Sequence, residues 1–352
     1  MTSLFYINPD KKIILIWLKD NYIFSYQLLK LEKKIKGIIT KIESKHYYLI
    51  PEGKDEEILC SLRGKFKKEY ELKKDKLYFT DFIAVGDYVD FEMNKDGTGV
   101  INKIEKRKNH LSRKLPKVRG ASYRGERLEQ VIAANIDKVI IVTSIHFPNF
   151  NNRVLDRFLV AAESSKLNPI IILNKIDLDE NGEYTKWKEL YEKIGYKFIL
   201  TSTKTMNGIE DLKNELLGCK SLFWGHSGVG KSSLLNKIFP SINLKIGEVS
   251  QYTSKGTHTT VTSRMIKVAE NTLIIDTPGI REIDPYGIRK SDLGHYFIEF
   301  SDFINDCKFN TCTHNHEPGC SVTQAVKEGL ISEERYDSYL RVLDTIEDDI
   351  HF

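Results

Sequence analysis

The chain is poor in several residue types, and each shortage closes off a class of protein. It has 5 cysteines in 352 residues, too few for the disulfide framework that staples small secreted domains. Charge of one sign is scarce as well: 53 Lys and Arg against 49 Asp and Glu leave a formal net charge of +4. A global field that draws in nucleic acid is therefore excluded, and any such contact must come from local patches. The apolar run near the N-terminus, Ile13-Ile14-Leu15-Ile16-Trp17-Leu18, falls far short of the roughly 20 residues a membrane span needs. No small-residue cleavage site of a secretory signal accompanies it. We read the run as a buried strand and expect a cytoplasmic protein without a membrane partner.

What is present, 41% hydrophobic and 29% charged residues, reads as soluble and globular. The length suits about two or three domains. The organising stretch is Gly225-His226-Ser227-Gly228-Val229-Gly230-Lys231-Ser232, between an apolar run at 221–224 and a helix-spaced segment from Ser233. Strand, glycine-rich turn and helix, with G-x-x-x-x-G-K-S across the join, predict a phosphate-binding loop. The glycines let backbone N–H groups close on phosphate oxygens. Lys231 then reaches the β/γ-phosphates and Ser232 offers a hydroxyl to Mg²⁺.

Around this loop the chain divides by period. Residues 1–34 hold no motif; an extra hairpin, an arm and an upstream extension of the next unit all fit them. From 35 to 105, short alternating runs at 37–42, 46–50, 58–63, 85–91 and 100–104 predict an OB-type β-barrel. Tyr47, Tyr48 and Tyr88 are either base-stacking platforms or half-buried strand residues there. Residues 106–130 are dense in Lys and Arg, from Lys106 to Arg127, without an apolar period. They read as a basic linker able to meet a phosphate backbone. From 131 to 284, strands at 137–144, 169–173 and 197–200 alternate with helices at 153–166, 184–194 and 209–217. That is the pattern of a parallel sheet with crossover helices, an α/β nucleotide-binding layout.

The strand at 169–173 runs into Asn174-Lys175-Ile176-Asp177. An aspartate there accepts from both N1–H and the 2-amino group of guanine, a donor pair adenine lacks, so Asp177 selects GTP. The Lys175 stem would lie along the base, and Thr201-Ser202-Thr203 match the loop that backs the base with a main-chain amide. Asn174, the phosphate loop and Ser233 complete the GTP-binding set. Between two later strands, Thr259 or Thr260 of Gly256-Thr257-His258-Thr259-Thr260 completes the Mg²⁺ shell and senses the γ-phosphate. Asp276-Thr277-Pro278-Gly279 ends the strand at 272–275; Asp276 is placed to hold Mg²⁺ through water, and the Gly279 amide to bond the γ-phosphate. The catalytic candidates are thus Lys231, Ser232, Thr259, Thr260, Asp276 and Gly279. Ile280 stands where Ras-type enzymes carry a water-orienting glutamine, which predicts a slow intrinsic rate, with His258, His226 or a partner's group in that role. The base reader precedes the phosphate loop, the reverse of the usual order, so the domain is circularly permuted. Termini that lie close together at the surface permit this.

Cys307, Cys312, His314 and Cys320 crowd one loop-rich segment. Cys₃His is a tetrahedral set for one structural Zn²⁺ with no open position, and His316 is the alternative to His314. Helices at 322–330 and 332–350 complete a C-terminal zinc-binding domain, 285–352.

These residues together resemble the RsgA/YjeQ family of circularly permuted GTPases, from about Lys36 to the C-terminus. The resemblance rests on the barrel, Asn174 to Asp177, Gly225 to Ser232, Gly256 to Thr260, Asp276 to Gly279 and the Cys307/Cys312/His314/Cys320 spacing. Thr257 departs from the basic or longer polar residue frequent there. The resemblance implies a multidomain α/β protein whose barrel, GTPase and zinc domains bind the 30S ribosomal subunit and its 16S rRNA. It also implies GTP hydrolysis to GDP stimulated by the subunit during late maturation. We expect a monomer. Two rival readings stand beside it. One is a nucleotide-gated RNA-binding assembly factor with negligible hydrolysis, favoured by Ile280. The other is a large-subunit assembly GTPase, which would lack the barrel and the zinc cluster.

Overall fold

The computed structural model describes residues 35–43, 46–64, 82–114, 129–242, 244, 263–276 and 287–346. Residues 1–34 and the switch candidates Thr259, Thr260, Gly279 and Ile280, with Thr257 and His258, lie outside them.

Strands β1 (Ile35–Glu43), β2 (His46–Pro51), β3 (Ile58–Leu62), β4 (Tyr88–Met93) and β5 (Gly99–Ile104) run in the order β1-β2-β3-β5-β4. A further β1–β4 pairing closes them into a barrel, with β3 and β5 parallel. Alternate side chains point inward, so Ile39, Leu49, Cys60, Val89, Phe91 and Ile101 form the core. Gly99 has no room for a side chain, because a Cβ there would lie 2.4 Å from Cys60 Sγ. At the barrel's exit the buried Asp87 carboxylate takes both Arg107 Nε and Nη2 at 2.7 Å. All three tyrosines are half-buried strand residues with partners inside the fold. Tyr88 is committed to the joint with the next domain: Lys220 Nζ donates to its hydroxyl at 2.7 Å, with the ammonium 4.4 Å from the ring centroid. Tyr47 packs on the barrel core, and Tyr48 donates to Glu43 beneath the Lys41 ammonium.

The segment expected as a basic linker is not wholly one. Within it β6 (His110–Lys114) pairs antiparallel with β7 (Glu129–Ala134). Leu111, Ala133 and Ala134 are fully buried. Four charged or polar residues around one leucine show no period, and the partner strand lies beyond residues 115–128, which fall outside the described residues.

The next sheet is built from β8 (Lys138–Ser144), α1 (Asn152–Ser164), β9 (Pro169–Asn174), α2 (Tyr184–Ile194), β10 (Lys197–Thr201), α3 (Ile209–Leu216), β11 (Lys220–Trp224), α4 (Lys231–Ile238), β12 (Arg264–Ala269) and β13 (Thr272–Asp276). Its order is β10-β9-β8-β11-β13-β12, parallel except for β12. Helices on both faces bury both sets of side chains, so the strands are continuously apolar. Ile141, Ile171 and Leu222 face one core, and Ile140, Ile172 and Phe223 the other. A single register pair, Lys41 with Arg264, carries the sheet into the barrel. Asn151 caps α1 by accepting from the N–H groups of Arg153 and Val154.

The remaining described residues form α5 (Ser301–Ile304), α6 (Ser321–Lys327) and α7 (Glu333–Thr345) around Phe297, Phe300, Val322, Tyr339 and Leu343. α7 ends before the expected Ile350. Val160 of α1 belongs to this same core, so the C-terminal module is packed directly on α1 of the GTPase domain. Among the described residues no helix is long and apolar enough to cross a membrane.

Candidate functional site

The phosphate loop turns between β11 and α4. Its glycines adopt left-handed φ values, +142° at Gly225, +84° at Gly228 and +98° at Gly230. At two of them a side chain is also excluded by contact. A Cβ on Gly225 would sit 2.1 Å from the Val142 carbonyl oxygen, and one on Gly230 2.4 Å from Asn174 Nδ2. Lys231 folds back over the loop and donates to the Gly225 and His226 carbonyls at 2.7 and 2.8 Å. Burial lowers its pKa, opposed by the charge of Asp276. The parallel register sets Asp276 beside Phe223, so that carboxylate ends its strand next to the start of the loop. Ser232 and Ser233 lie in the first turn of α4, and Ser227 is exposed at the loop's crest. Ser232 and Asp276 are oxygen donors of the kind a hard divalent cation takes.

The residues of the Asn174-to-Asp177 signature converge on the same end of the sheet. β8, β9 and β11 are neighbours, which brings Asn174 beside the phosphate loop. Asn174 is buried and works as a stitch: its Nδ2 donates to the Val229 carbonyl at 2.9 Å, and its Oδ1 accepts from Thr201 Oγ1 at 3.1 Å. Lys175, at φ +63°, sends its ammonium to the Gly228 carbonyl at 2.7 Å and to that of Phe147. Burial lowers its pKa, with Asp177 opposing. Asp177 accepts from Ser202 Oγ at 2.6 Å, which orients the carboxylate. The main-chain amide of Ser202 is already committed to the Asn207 carbonyl, so Ser202 serves through its hydroxyl rather than its N–H. The loop after β8 carries no motif, yet Phe147 supplies a carbonyl to Lys175 and Pro148 packs 3.7 Å from the Cβ position of Gly228.

A second constellation lies in the C-terminal module. The ligand atoms of Cys307, Cys312, His314 and Cys320 all fall within 4.8 Å of one another. Cys307 Sγ is 3.9 Å from Cys320 Sγ, and His314 Nδ1 is 3.5 and 3.4 Å from those two sulfurs. Metal–sulfur bonds of about 2.3 Å and metal–nitrogen bonds of about 2.0–2.1 Å give tetrahedral edges of roughly 3.6–3.8 Å. The set therefore fits a tetrahedral metal ion, and it includes His314, not His316. Burial lowers the His314 pKa, which keeps the imidazole neutral as a ligand must be. Burial, with Cys320 adding to it, pushes the Cys312 thiol up to about 12; a bound cation reverses that preference. His314 takes φ +52°, and its ring passes 2.8 Å from where a Cβ of Gly294 would be. Glu317 folds the ligand loop by accepting the N–H groups of Thr313, Asn315 and His316 at 2.7, 3.0 and 3.2 Å. Tyr336 and Tyr339 of α7 donate to the His314 and Thr313 carbonyls at 2.7 and 2.6 Å.

The two constellations share one buried joint. Arg335 of α7 donates to Asp156 of α1 at 2.5 Å and to both oxygens of Glu299 at 2.6 and 3.0 Å. Asp156 also accepts from Tyr191 of α2 at 2.6 Å. Burial opposes the guanidinium's charge, yet Asp156 and Glu299 hold its pKa above the usual arginine range. Nothing local in the sequence marks these partners; they come from helices far apart in the chain.

Phosphate loop, guanine-reading signature and Asp276 stand at strand ends of one parallel sheet, with the reader first in the chain. This fold and site define a circularly permuted P-loop GTPase, an enzyme that hydrolyses GTP. A family model described as RsgA GTPase matches residues 104–286. The small ribosomal subunit biogenesis GTPase RsgA 2 of Bacteroides thetaiotaomicron is 37% identical over 317 residues, which cover 89% of this chain and 98% of that protein. The crystal structure of YjeQ from Thermotoga maritima is similar at a TM-score of 0.70 and 34% identity, over 88% of this chain and 98% of the other. That of YloQ, described as a circularly permuted GTPase, is similar at 0.65 and 30%, over 90% and 96%. The chain belongs to the RsgA GTPase family.

Proposed function

We propose that this GTPase acts in the cytoplasm on the small ribosomal subunit, binding its 16S rRNA as a monomer and hydrolysing GTP late in the subunit's maturation. Asp177 reads guanine, with Asn174, Lys175, Thr201 and Ser202 holding its loop. The backbone of Gly225 to Ser233 cradles the phosphates, and on GTP binding Lys231 exchanges its carbonyl partners for β/γ-phosphate oxygens. Ser232 and Asp276, with Thr259 or Thr260, hold Mg²⁺, and the Gly279 amide meets the γ-phosphate. Mg²⁺ supplies charge neutralisation at the transferring phosphoryl group. Residues 35–105 form the barrel, 131–284 the GTPase domain and 285–352 the C-terminal domain, where Cys307, Cys312, His314 and Cys320 hold one structural zinc.

The observation that carries this reading is the bond from Asn174 to the Val229 carbonyl, which joins base reader and phosphate loop into one site. The curated relatives' shared description as small ribosomal subunit biogenesis GTPases supports the partner. GTP turnover measured with and without purified 30S subunits tests it: stimulation is expected with 30S and not with 50S. No stimulation, or an equal response to 50S, overturns the assignment of partner. Metal analysis is expected to find about one zinc per chain.

A further inference from the structure

The turn between β8 and α1 is tied to its surroundings at every step. The Ile145 N–H donates to the Asn174 carbonyl at 3.1 Å, and the Phe150 N–H returns to the Ile145 carbonyl at 3.0 Å. The buried Ser144 donates its hydroxyl to the Pro148 carbonyl at 2.8 Å. Phe147, in the middle, takes φ +52°, the left-handed region where a bulky side chain is a genuine outlier. Such outliers persist where the surroundings over-determine them, and they gather at binding sites. Here the turn aims the Phe147 carbonyl at the Lys175 ammonium, which also donates to the Gly228 carbonyl at 2.7 Å. Pro148 rests against that same glycine, 3.7 Å from its Cβ position.

The carbonyl accounts for the backbone but not for the ring. A glycine would hold the same turn without strain, yet a phenyl stands there, 76% exposed, the most exposed large apolar side chain among the described residues. Phe150, further along the turn, packs on the core with its ring 4.8 Å from that of Trp187. Phe147 joins no apolar core among the described residues, and its ring lies 6.4 Å from that of its own neighbour His146. Its place points to what covers it. The Lys175 side chain runs from the Asn174-to-Asp177 signature to the phosphate loop, where its ammonium rests on Gly228. The ribose of a bound nucleotide joins base to phosphates over that same span. It therefore passes beside the residue whose carbonyl holds the end of the lysine.

We propose that Phe147 retains the bound guanine nucleotide: its carbonyl fixes Lys175 along the base, and its ring packs on the ribose. The inference rests on the reading of Lys175 and Asp177 given above and adds to it a residue that no motif marks. Burying the phenyl against the sugar removes apolar surface from water, a gain the nucleotide-free fold leaves unused. Because GTP, GDP and the transition state share one ribose, the contact is uniform. It slows release of nucleotide without speeding hydrolysis.

The test uses the full chain and unlabelled nucleotides, since a fluorophore on the ribose would occupy the contact. Affinity for GDP and for a non-hydrolysable GTP analogue is measured by calorimetry, and release by exchange of radiolabelled GDP. The variants are Phe147→Ala, Phe147→Gly, Phe147→Tyr and Asp177→Asn. Loss of the ring in Phe147→Ala or Phe147→Gly is expected to weaken both nucleotides about tenfold, equivalent to about 1.4 kcal/mol, through faster release. KM for GTP should rise while kcat is not lowered. The melting temperature of the nucleotide-free protein should hold, because the ring is exposed there. Phe147→Tyr should keep wild-type affinity. Wild-type affinity in both Phe147→Ala and Phe147→Gly overturns the proposal. A loss confined to Phe147→Ala also overturns it, since backbone strain and not the missing ring would then be responsible. So does a Phe147→Tyr variant as weak as Phe147→Ala. Asp177→Asn tests the underlying reading separately: if that variant still prefers GDP to xanthosine diphosphate, the base-reading assignment fails whatever the Phe147 variants show.

Discussion

Replacing Arg335 by methionine removes the cation from the joint between α1, α7 and the segment before α5 while keeping its volume. Arg335 and Asp156 are fully buried, and Glu299 keeps 11% of its side-chain surface. Breaking a buried ion network by deleting one member costs about 3–5 kcal/mol, because the remaining charges are left uncompensated. That is a large share of the ~5–15 kcal/mol by which a domain is stable. Urea unfolding followed by far-UV circular dichroism and by fluorescence is the assay, with the C-terminal module expected to unfold as its own transition. At an m-value of about 2 kcal/mol/M the midpoint of that transition should fall by roughly 2 M. The triple variant Arg335→Met/Asp156→Leu/Glu299→Met, which removes both stranded carboxylates, should recover most of the loss. A single-variant shift below about 0.3 M, or a triple variant no more stable than the single one, would refute the view that these charges hold the module on α1.

Asn174→Ala leaves the Val229 carbonyl without its side-chain partner, a cost of about 1–3 kcal/mol, and should weaken GDP binding about tenfold in a fluorescent-nucleotide titration. Asp177→Asn exchanges the acceptor proposed to read guanine for an amide. Two charge-assisted bonds at about 1.5–3 kcal/mol each predict a 10²-fold or greater loss for GTP and a gain for xanthosine triphosphate; unchanged base preference in competition assays contradicts the assignment. Against the opposing effect of burial, the Thr313 hydroxyl and backbone N–H groups including those of Thr313 and Asn315 hold the Glu317 carboxyl at about 2 against an ordinary 4.5. Its stabilisation is therefore complete above pH 4.5 and lost as pH falls through 2. In chelated protein the melting-temperature gap between wild type and Glu317→Gln should be largest near neutral pH and close across that window. Removing the metal from the Cys307/Cys312/His314/Cys320 cluster should speed proteolysis of the C-terminal module while the GTPase domain stays resistant.

The sequence by itself determined the parts whose chemistry is local. A phosphate loop needs glycines at left-handed positions a few residues apart, and Gly225, Gly228 and Gly230 adopt them within one turn of chain. The four candidate metal ligands span residues 307 to 320, so their spacing alone brought them together. The barrel and the parallel sheet were legible because alternation and apolar runs report burial over five or six residues. Tertiary structure alone decided the long-range pairings. β6 finds β7 across a charged gap, so a strand hid inside an apparent linker. Lys220 reaches Tyr88 across 132 positions and closes a tyrosine that an unpaired strand would have offered to RNA. Asn174 meets Val229 across 55 positions, turning a residue of a base-reading signature into the clasp of the phosphate loop. Arg335 meets Asp156 across 179 positions, in a charge network stable only once three helices exclude water from it. Period and spacing carry no record of such partners, because each side chain is chosen by what it touches in the fold and not by its neighbours in the chain.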